Sequence, residues 1–164
     1  MASAAPGLLS IRSATEGDTA LILRFIKKLA EYEKLLHECV ATEEKLSQSL
    51  FGKDPGAEVV LAYWEDECVG FALFFSTYST FLAQPGLYLE DLFVKEPWRG
   101  KGIGLALLKK LAEIAIARKC GRVEWGVLNW NLPSIEFYQR LGAVAMDEWT
   151  KYRLTGDALQ RLGN

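Results

Sequence analysis

Apolar residues change their period several times along the chain, and each change marks an element. Residues 8–14 read as a first strand, and Thr15-Glu16-Gly17-Asp18 then opens a helix as a capping box does, with Asp18 in the place usual for Glu or Gln. Ile22, Phe25, Ile26 and Leu29 recur at helical spacing, while Arg24, Lys27, Lys28 and Glu31 fall largely elsewhere. This predicts an amphipathic helix running to about Leu36. Thr42-Glu43-Glu44 starts a second, shorter helix through Leu50, broken by the turn residues Gly52, Asp54, Pro55 and Gly56. Residues 58–64 and 68–78 are rich in branched and aromatic side chains and flank Glu65-Asp66-Glu67, which suits an antiparallel hairpin. Another strand spans 86–94.

After a glycine-rich turn, Leu105, Leu108, Leu111, Ala112 and Ala115 mark a helix ending near Lys119-Cys120-Gly121. A strand over 122–128 follows. Pro133 suits the first turn of a further helix that holds Ile135, Phe137, Tyr138 and Leu141 and ends at Gly142. Strands over 143–146 and 149–154 complete the sheet. The order β, α, α, β, β, β, α, β, α, β, β predicts an α/β architecture, a mixed sheet with helices packed on its faces.

Composition narrows the function classes. The 164 residues, half of them apolar, suit one domain with one core over residues 1–164. A net charge of −2 gives no overall basic surface for nucleic acid or an anionic membrane. No apolar run reaches the ~18 residues of a membrane span, and residues 1–7 lack a secretory pattern, so a soluble cytoplasmic protein is expected. Cys39, Cys68 and Cys120 are widely spaced, which predicts reduced packing residues, not a disulfide framework or structural zinc. His37 has no neighbour of metal-ligand spacing and is expected at a solvent-exposed helix end, so no metal site is expected.

The chemistry concentrates in Arg99-Gly100-Lys101-Gly102-Ile103-Gly104, set between the apolar run Leu92-Phe93-Val94 and a helix. Alternate glycines let successive N–H groups converge on an anion, the following helix adds its positive end, and Arg99 and Lys101 supply mobile charge. The third glycine of a dinucleotide fingerprint would fall at Leu105, and the Gly-Lys-Ser/Thr of a Walker loop is missing. Glu124 lies about where a ribose-binding acid would, but an acid in a strand is ordinarily solvent-facing.

With its flanks, this turn resembles the pyrophosphate-binding motif Q/R-x-x-G-x-G/A of the GCN5-related N-acetyltransferases (GNATs), through Arg99, Gly102 and Gly104. Nearly the whole chain is similar to the spermidine/spermine (diamine) N-acetyltransferase subfamily. The match is carried by residues 23–33, by Tyr88-Leu89-Glu90-Asp91-Leu92-Phe93-Val94, by the glycine turn and by residues 130–143. The resemblance implies a GNAT acyl-CoA N-acyltransferase fold: a central, mostly antiparallel mixed sheet in which two parallel strands splay to admit acetyl-CoA. It implies that Leu92, Phe93 and Val94 pair through their backbone with the pantetheine arm. Arg99, Gly100, Lys101, Gly102, Ile103, Gly104 and Leu105 would grip the pyrophosphate, and Asn131, Pro133, Ser134 and Tyr138 would touch the cofactor from the other side of the splay.

Acetyl transfer needs a neutral amine, a polarised carbonyl and a proton for the departing thiolate. A phenol with a reference pKa of about 10 can deliver that proton, and the resemblance makes Tyr138 the general acid. Glu90 and Asp91, consecutive in an otherwise apolar strand, are expected on opposite faces, so at least one needs a polar task. By resemblance Glu90 handles the substrate amine, directly or through water. Asp91 either joins it in binding substrate, or supports a bulge or satisfies backbone groups. Tyr32 and Glu33 match polyamine-recognising positions, and Glu124, Trp125 and Gly126 a further substrate-lining segment. An ordinary helix end and an alternating strand account equally for these five.

Tyr78-Ser79-Thr80-Phe81-Leu82 lacks the acid and tryptophan usual there in the subfamily, and Asp147-Glu148-Trp149 is differently spaced from Gly142. The expected activity is direct acetyl transfer, in a ternary complex, to a primary amine of a small polyamine- or diamine-like molecule. A lysine-like amino acid such as thialysine, a peptide amine, and a non-catalytic acyl-CoA-binding module are the alternatives. A homodimer is expected by analogy.

Overall fold

The computed structural model describes residues 8–164, so residues 1–7, read above as free of a leader, lie outside the described residues. Strands β1 (Leu9–Ser13), β2 (Glu58–Trp64), β3 (Glu67–Ser79), β4 (Gln84–Val94) and β5 (Val123–Trp125) form one sheet in the order β1-β2-β3-β4-β5. The first three pairings are antiparallel and β4–β5 is parallel, so the mixed, mostly antiparallel sheet is as expected. Helices α1 (Thr19–Tyr32), α2 (Glu43–Phe51) and α3 (Ile103–Ala117) belong with this sheet to a unit ending at Gly126. Residues 127–164 form a second unit, with α4 (Leu132–Arg140) and α5 (Gly156–Gly163).

The core of the first unit follows from the pleat. Val59, Leu61, Phe71, Leu73 and Phe93 meet Ile22, Leu23 and Phe25 of α1 and Leu46 and Leu50 of α2. Phe25 stacks on Phe71 with ring centroids 5.2 Å apart. Burial of these side chains is the main term holding the layers together. The opposite face presents Val60, Phe74, Leu87 and Leu89, all buried, toward the side where α3 buries Ile103, Leu107 and Leu111. Arg118, just past α3, makes two hydrogen bonds to the Glu58 carboxylate at 2.6 and 2.7 Å, fastening that helix end to β2.

The capping box read from sequence forms: Thr15 N–H donates to Asp18 at 2.8 Å, and Arg12 holds both Asp18 oxygens at 2.8 Å. Helix α1 stops at Tyr32, four residues before the expected end. Lys34 takes a left-handed φ of 61°, Leu35 N–H reaches Ala30 C=O at 2.8 Å and Lys34 N–H reaches Glu31 C=O at 3.0 Å. This is a Schellman closure without the glycine that would have announced it.

Two other expectations need correction. The strand expected over 122–128 is only Val123–Trp125, because the ladder with β4 runs out there. Residues 143–146 and 149–154 are not strands. Their turn forms, Trp149 N–H donating to Met146 C=O at 3.1 Å, but no strand pairs with either arm. An alternating pattern makes a strand only where a partner accepts its ladder hydrogen bonds. Val144, Trp149 and Tyr152 are accordingly exposed, and α5 follows unannounced by the sequence reading.

Candidate active site

Strand β4 carries one residue too many for its partner. Leu73 pairs with Asp91 and the next residue, Phe74, with Leu89, leaving Glu90 as a bulge. Leu89 and Asp91 would share a face in a regular strand. Here Leu89 lies with Phe74 on the α3 side, while Asp91 lies with Leu73 on the α1–α2 side. The same slip sets Tyr88, paired with Phe75, on the face of Asp91. Strict alternation of Glu90 and Asp91 therefore does not describe this segment.

The bulge coincides with the end of the parallel ladder, which joins Leu87–Leu89 to Val123–Trp125 and goes no further. Beyond it, among the described residues, the edge of β4 over Leu92, Phe93 and Val94 that faces away from β3 has no strand on it. This is the splay expected from the resemblance, and it leaves the edge of β4 open to an extended ligand, with Val94 C=O already accepting from Arg99 Nε.

Three carboxylates converge at this point. Asp91 is largely buried, and desolvation, then the charges of Glu90 and Glu33, push its pKa up to about 7. Glu33 is raised by burial and by Glu90. Glu90 itself is exposed. The Schellman closure brings Glu33 there, one residue past the end of α1. Such a group of acids holds ammonium ions, and a carboxylate that titrates near neutrality also accepts a proton.

The glycine turn adjoins this end of β4. Gly100 and Gly102 have φ of 76° and 80°, the left-handed region where other residues are strained. Gly102 caps α3 without a side chain, so the first-turn N–H groups are not occupied by a capping oxygen. A Cβ at Gly100 would meet nothing within 4 Å, so the space beside that backbone is open. Arg99 Nε donates to Val94 C=O at 3.0 Å, and its guanidinium carbon lies 4.9 Å from the Tyr32 ring centroid and 5.3 Å from that of Phe93. Lys101 Nζ lies 4.6 Å from the Trp98 ring and 5.5 Å from that of Trp64. Both glycine-turn cations, Ile103 at the start of α3, and Gly104 and Leu105 behind it suit an anionic, phosphate-bearing ligand.

In the second unit, buried Asn131 is the N-cap of α4, its side chain accepting from Ser134 N–H at 3.4 Å, with Pro133 in the first turn. Tyr138 lies on α4, its ring 5.4 Å from Phe137 and partly buried. In the first unit, Glu124 is held by Arg122 Nε at 2.8 Å, so this acid already has a cation. Trp125 is half-buried, and Gly126 lies next to Tyr88: a Cβ there would come within 3.5 Å of the Tyr88 hydroxyl. A cleft of about 380 Å³ between α2, the start of β2 and the last turns of α3 holds none of the expected site residues. His37 is exposed as expected, and the three cysteines are free thiols.

The model of the acetyltransferase (GNAT) family matches residues 24–143. The chain belongs to this family. A thialysine N-epsilon-acetyltransferase of Sus scrofa is 39% identical over 93% of this chain and 95% of its own. An L-ornithine N5-acetyltransferase of Arabidopsis thaliana is 36% identical over 93% and 86%. A human spermidine/spermine N(1)-acetyltransferase-like protein 1 is 35% identical over 91% of this chain and 23% of its own. Among solved structures, an integron cassette protein of V. cholerae superposes with a TM-score of 0.80 at 29% identity, covering 95% of this chain and 98% of that one.

This GNAT is thus an N-acetyltransferase, and it resembles the diamine acetyltransferases. The glycine turn and the open β4 edge are the parts of its fold that the resemblance anticipated; a bulge was only an alternative task for Asp91. Sequence reasoning gave no role at the site to the rings of Trp64 and Trp98, which lie beneath Lys101. Aromatic residues in strands read as core, and only the tertiary contacts reveal a cation above them.

Proposed function

We propose that this GNAT acetylates a primary amine of a small polyamine- or diamine-like molecule, taking the acyl group from acetyl-CoA, with both units serving one catalytic domain. The observation that carries the acceptor class is the convergence of Glu33, Glu90 and Asp91 at the open end of β4, a site that favours a small polycation. A basic amino acid is the second reading, and the thialysine and ornithine relatives favour it.

Acetyl-CoA supplies an activated acyl thioester. Its phosphates suit the turn of Gly100 and Gly102 with Arg99 and Lys101, and its pantetheine arm suits the edge of β4 over Leu92, Phe93 and Val94 beyond the β5 ladder. A backbone N–H on that edge polarises a carbonyl. Glu90, exposed on the bulge, draws the ammonium in and takes its proton directly or through water, while Asp91 and Glu33 hold charge around it. Tyr138 Oη would supply a proton to the departing sulfur and be restored from solvent. By resemblance Asn131, Pro133 and Ser134, at the start of α4, are cofactor-binding positions. We read Glu124, Trp125 and Gly126 as substrate-lining only at their margin, since Glu124 is neutralised by Arg122.

A cytoplasmic location fits acetyl-CoA supply and three free thiols. We also read the protein as a homodimer: residues 143–154 expose the apolar side chains of Val144, Met146, Trp149 and Tyr152, which a second copy would cover. One mass by light scattering tests this, a monomer at working concentration counting against it.

The deciding experiment is thiol release from acetyl-CoA against spermidine, spermine, putrescine, thialysine, lysine, ornithine and an amino-terminal peptide. Tyr138→Phe should bind acetyl-CoA as wild type does, with turnover down by about 10²-fold or more. Undiminished turnover in that variant refutes the acid role.

A further inference from the structure

Both cations of the glycine turn rest on aromatic faces, and one of those faces belongs to a residue that the resemblance assigned to the acceptor amine. Arg99 is anchored from three sides. Its Nε donates to Val94 C=O at 3.0 Å, the Phe93 ring from β4 lies 5.3 Å from its guanidinium carbon, and the Tyr32 ring from the end of α1 lies 4.9 Å away. Lys101 repeats the arrangement on Trp98 and Trp64, whose own centroids are 5.5 Å apart. None of the ion pairs among the described residues involves Arg99. A long, exposed cation that is seated by rings and not neutralised by a carboxylate keeps its full charge for an incoming anion, and has fewer rotamers to lose on binding.

We propose that Tyr32 is a positioning residue for the cofactor loop: its ring holds the Arg99 guanidinium in place for the phosphates of acetyl-CoA. The proposal rests on the reading of the glycine turn as the site for those phosphates. The Schellman closure of α1 makes the arrangement possible, because it ends the helix at Tyr32 and sends Glu33 toward Glu90. Adjacent residues of one helix end thereby serve two sites, Tyr32 the phosphate cation and Glu33 the carboxylate group. Phe93, the other half of the clamp, is 8% exposed and belongs to the core, whereas Tyr32 is 37% exposed. Tyr32 can therefore be changed without opening a core cavity.

The test is titration calorimetry with coenzyme A, which needs no acceptor, on wild type, Tyr32→Leu, Tyr32→Phe, Arg99→Ala and the Tyr32→Leu/Arg99→Ala double variant. Thermal melts establish that each is folded. Tyr32→Leu should weaken coenzyme A binding by about 3- to 10-fold, the range of a partly exposed cation–π contact. Tyr32→Phe should restore it, since the ring and not the hydroxyl covers the guanidinium. In the Arg99→Ala background, Tyr32→Leu should add nothing. With an active acceptor in hand, the loss should fall on the KM for acetyl-CoA, with kcat and the acceptor KM changed far less.

Equal weakening in both backgrounds would assign Tyr32 a merely structural role and overturn the proposal. So would a Tyr32→Leu variant whose only defect is in the acceptor KM. If wild type binds coenzyme A and Arg99→Ala weakens it while Tyr32→Leu does not, the loop reading stands and this proposal alone falls. If wild type binds no coenzyme A, both fall.

Discussion

Asp91→Asn removes a carboxyl that the fold buries among like charges, and its effect on stability has a definite sign. An unfolded chain releases this proton near pH 3.8, the native protein near pH 7. Between these values the native state holds a proton that the unfolded state has lost, so stability falls as pH rises through the window. The loss is complete above the native pKa and absent below the unfolded one. A shift of about 3 pH units at ~1.4 kcal/mol each bounds the effect near 4 kcal/mol, and about 2–4 kcal/mol is expected after native-state relaxation. Asn mimics the protonated acid without titrating. The stability of Asp91→Asn minus that of wild type should therefore climb by about 2–4 kcal/mol from pH 4 to pH 8.

Urea unfolding in half-unit pH steps at fixed salt measures this directly. Taking the difference between the two proteins cancels every group they share, among them Asp18. That acid is held well below the usual carboxylate range by Arg12, and its contribution has the opposite sign, present above the unfolded pKa and lost on acidification. Glu33 and Glu90 also remain in both proteins, so their own titration subtracts out apart from their coupling to Asp91. A difference that stays flat from pH 4 to pH 8, or that falls, would mean that Asp91 is solvated and that the carboxylates do not converge.

Asp18→Ala removes the acceptor of Thr15 N–H and both Arg12 contacts, and should lower stability by about 1–2 kcal/mol at pH 7 in the same urea assay. Gly102→Ala places a side chain at a φ of 80° and should lower stability by about 1–2 kcal/mol while weakening acetyl-CoA binding. Gly104→Ala is the contrast: its Cβ would meet only Val94 Cγ2, at 4.0 Å, inside a helix. That variant should be at least as stable as wild type by thermal melt.

Much of this was legible in the sequence, and the omissions share one cause. The glycine turn, the hairpin about Glu65 and the capping box at Thr15 are set by local chemistry, and the local residues announced them. What escaped depends on backbone conformations and side-chain contacts that residue type and period do not encode. The end of α1 at Tyr32 uses a left-handed Lys34 where a glycine would have signalled the stop. Residues 143–154 have the period of strands but no strand to pair with. The pairing of Glu124 with Arg122 and the seating of Arg99 on Tyr32 are properties of packing, and alternation or helix-end composition carries no trace of them. The resemblance supplied the roles of Glu90 and Tyr138, which no periodicity contains.

The bulge at Glu90 joins fold to chemistry, and it can be separated from the Glu90 carboxylate. Deleting Glu90 would let Leu89 and Asp91 follow one another in an unbroken ladder opposite Phe74 and Leu73, with every side chain still on its present face. The core contacts of Phe93, Leu73 and Leu89 do not require the extra residue. The deletion should therefore fold, with stability within about 1 kcal/mol of wild type or above it, because a regular ladder replaces a disrupted one. Glu90→Gln keeps the bulge and removes only the charge. If the irregularity is what parts β4 from β5, the deletion should lose acetyl-CoA binding as well as turnover, whereas Glu90→Gln should lose turnover alone. Coenzyme A titration of the two variants reads the difference, and equal affinity in both would show that the strands part for some other reason.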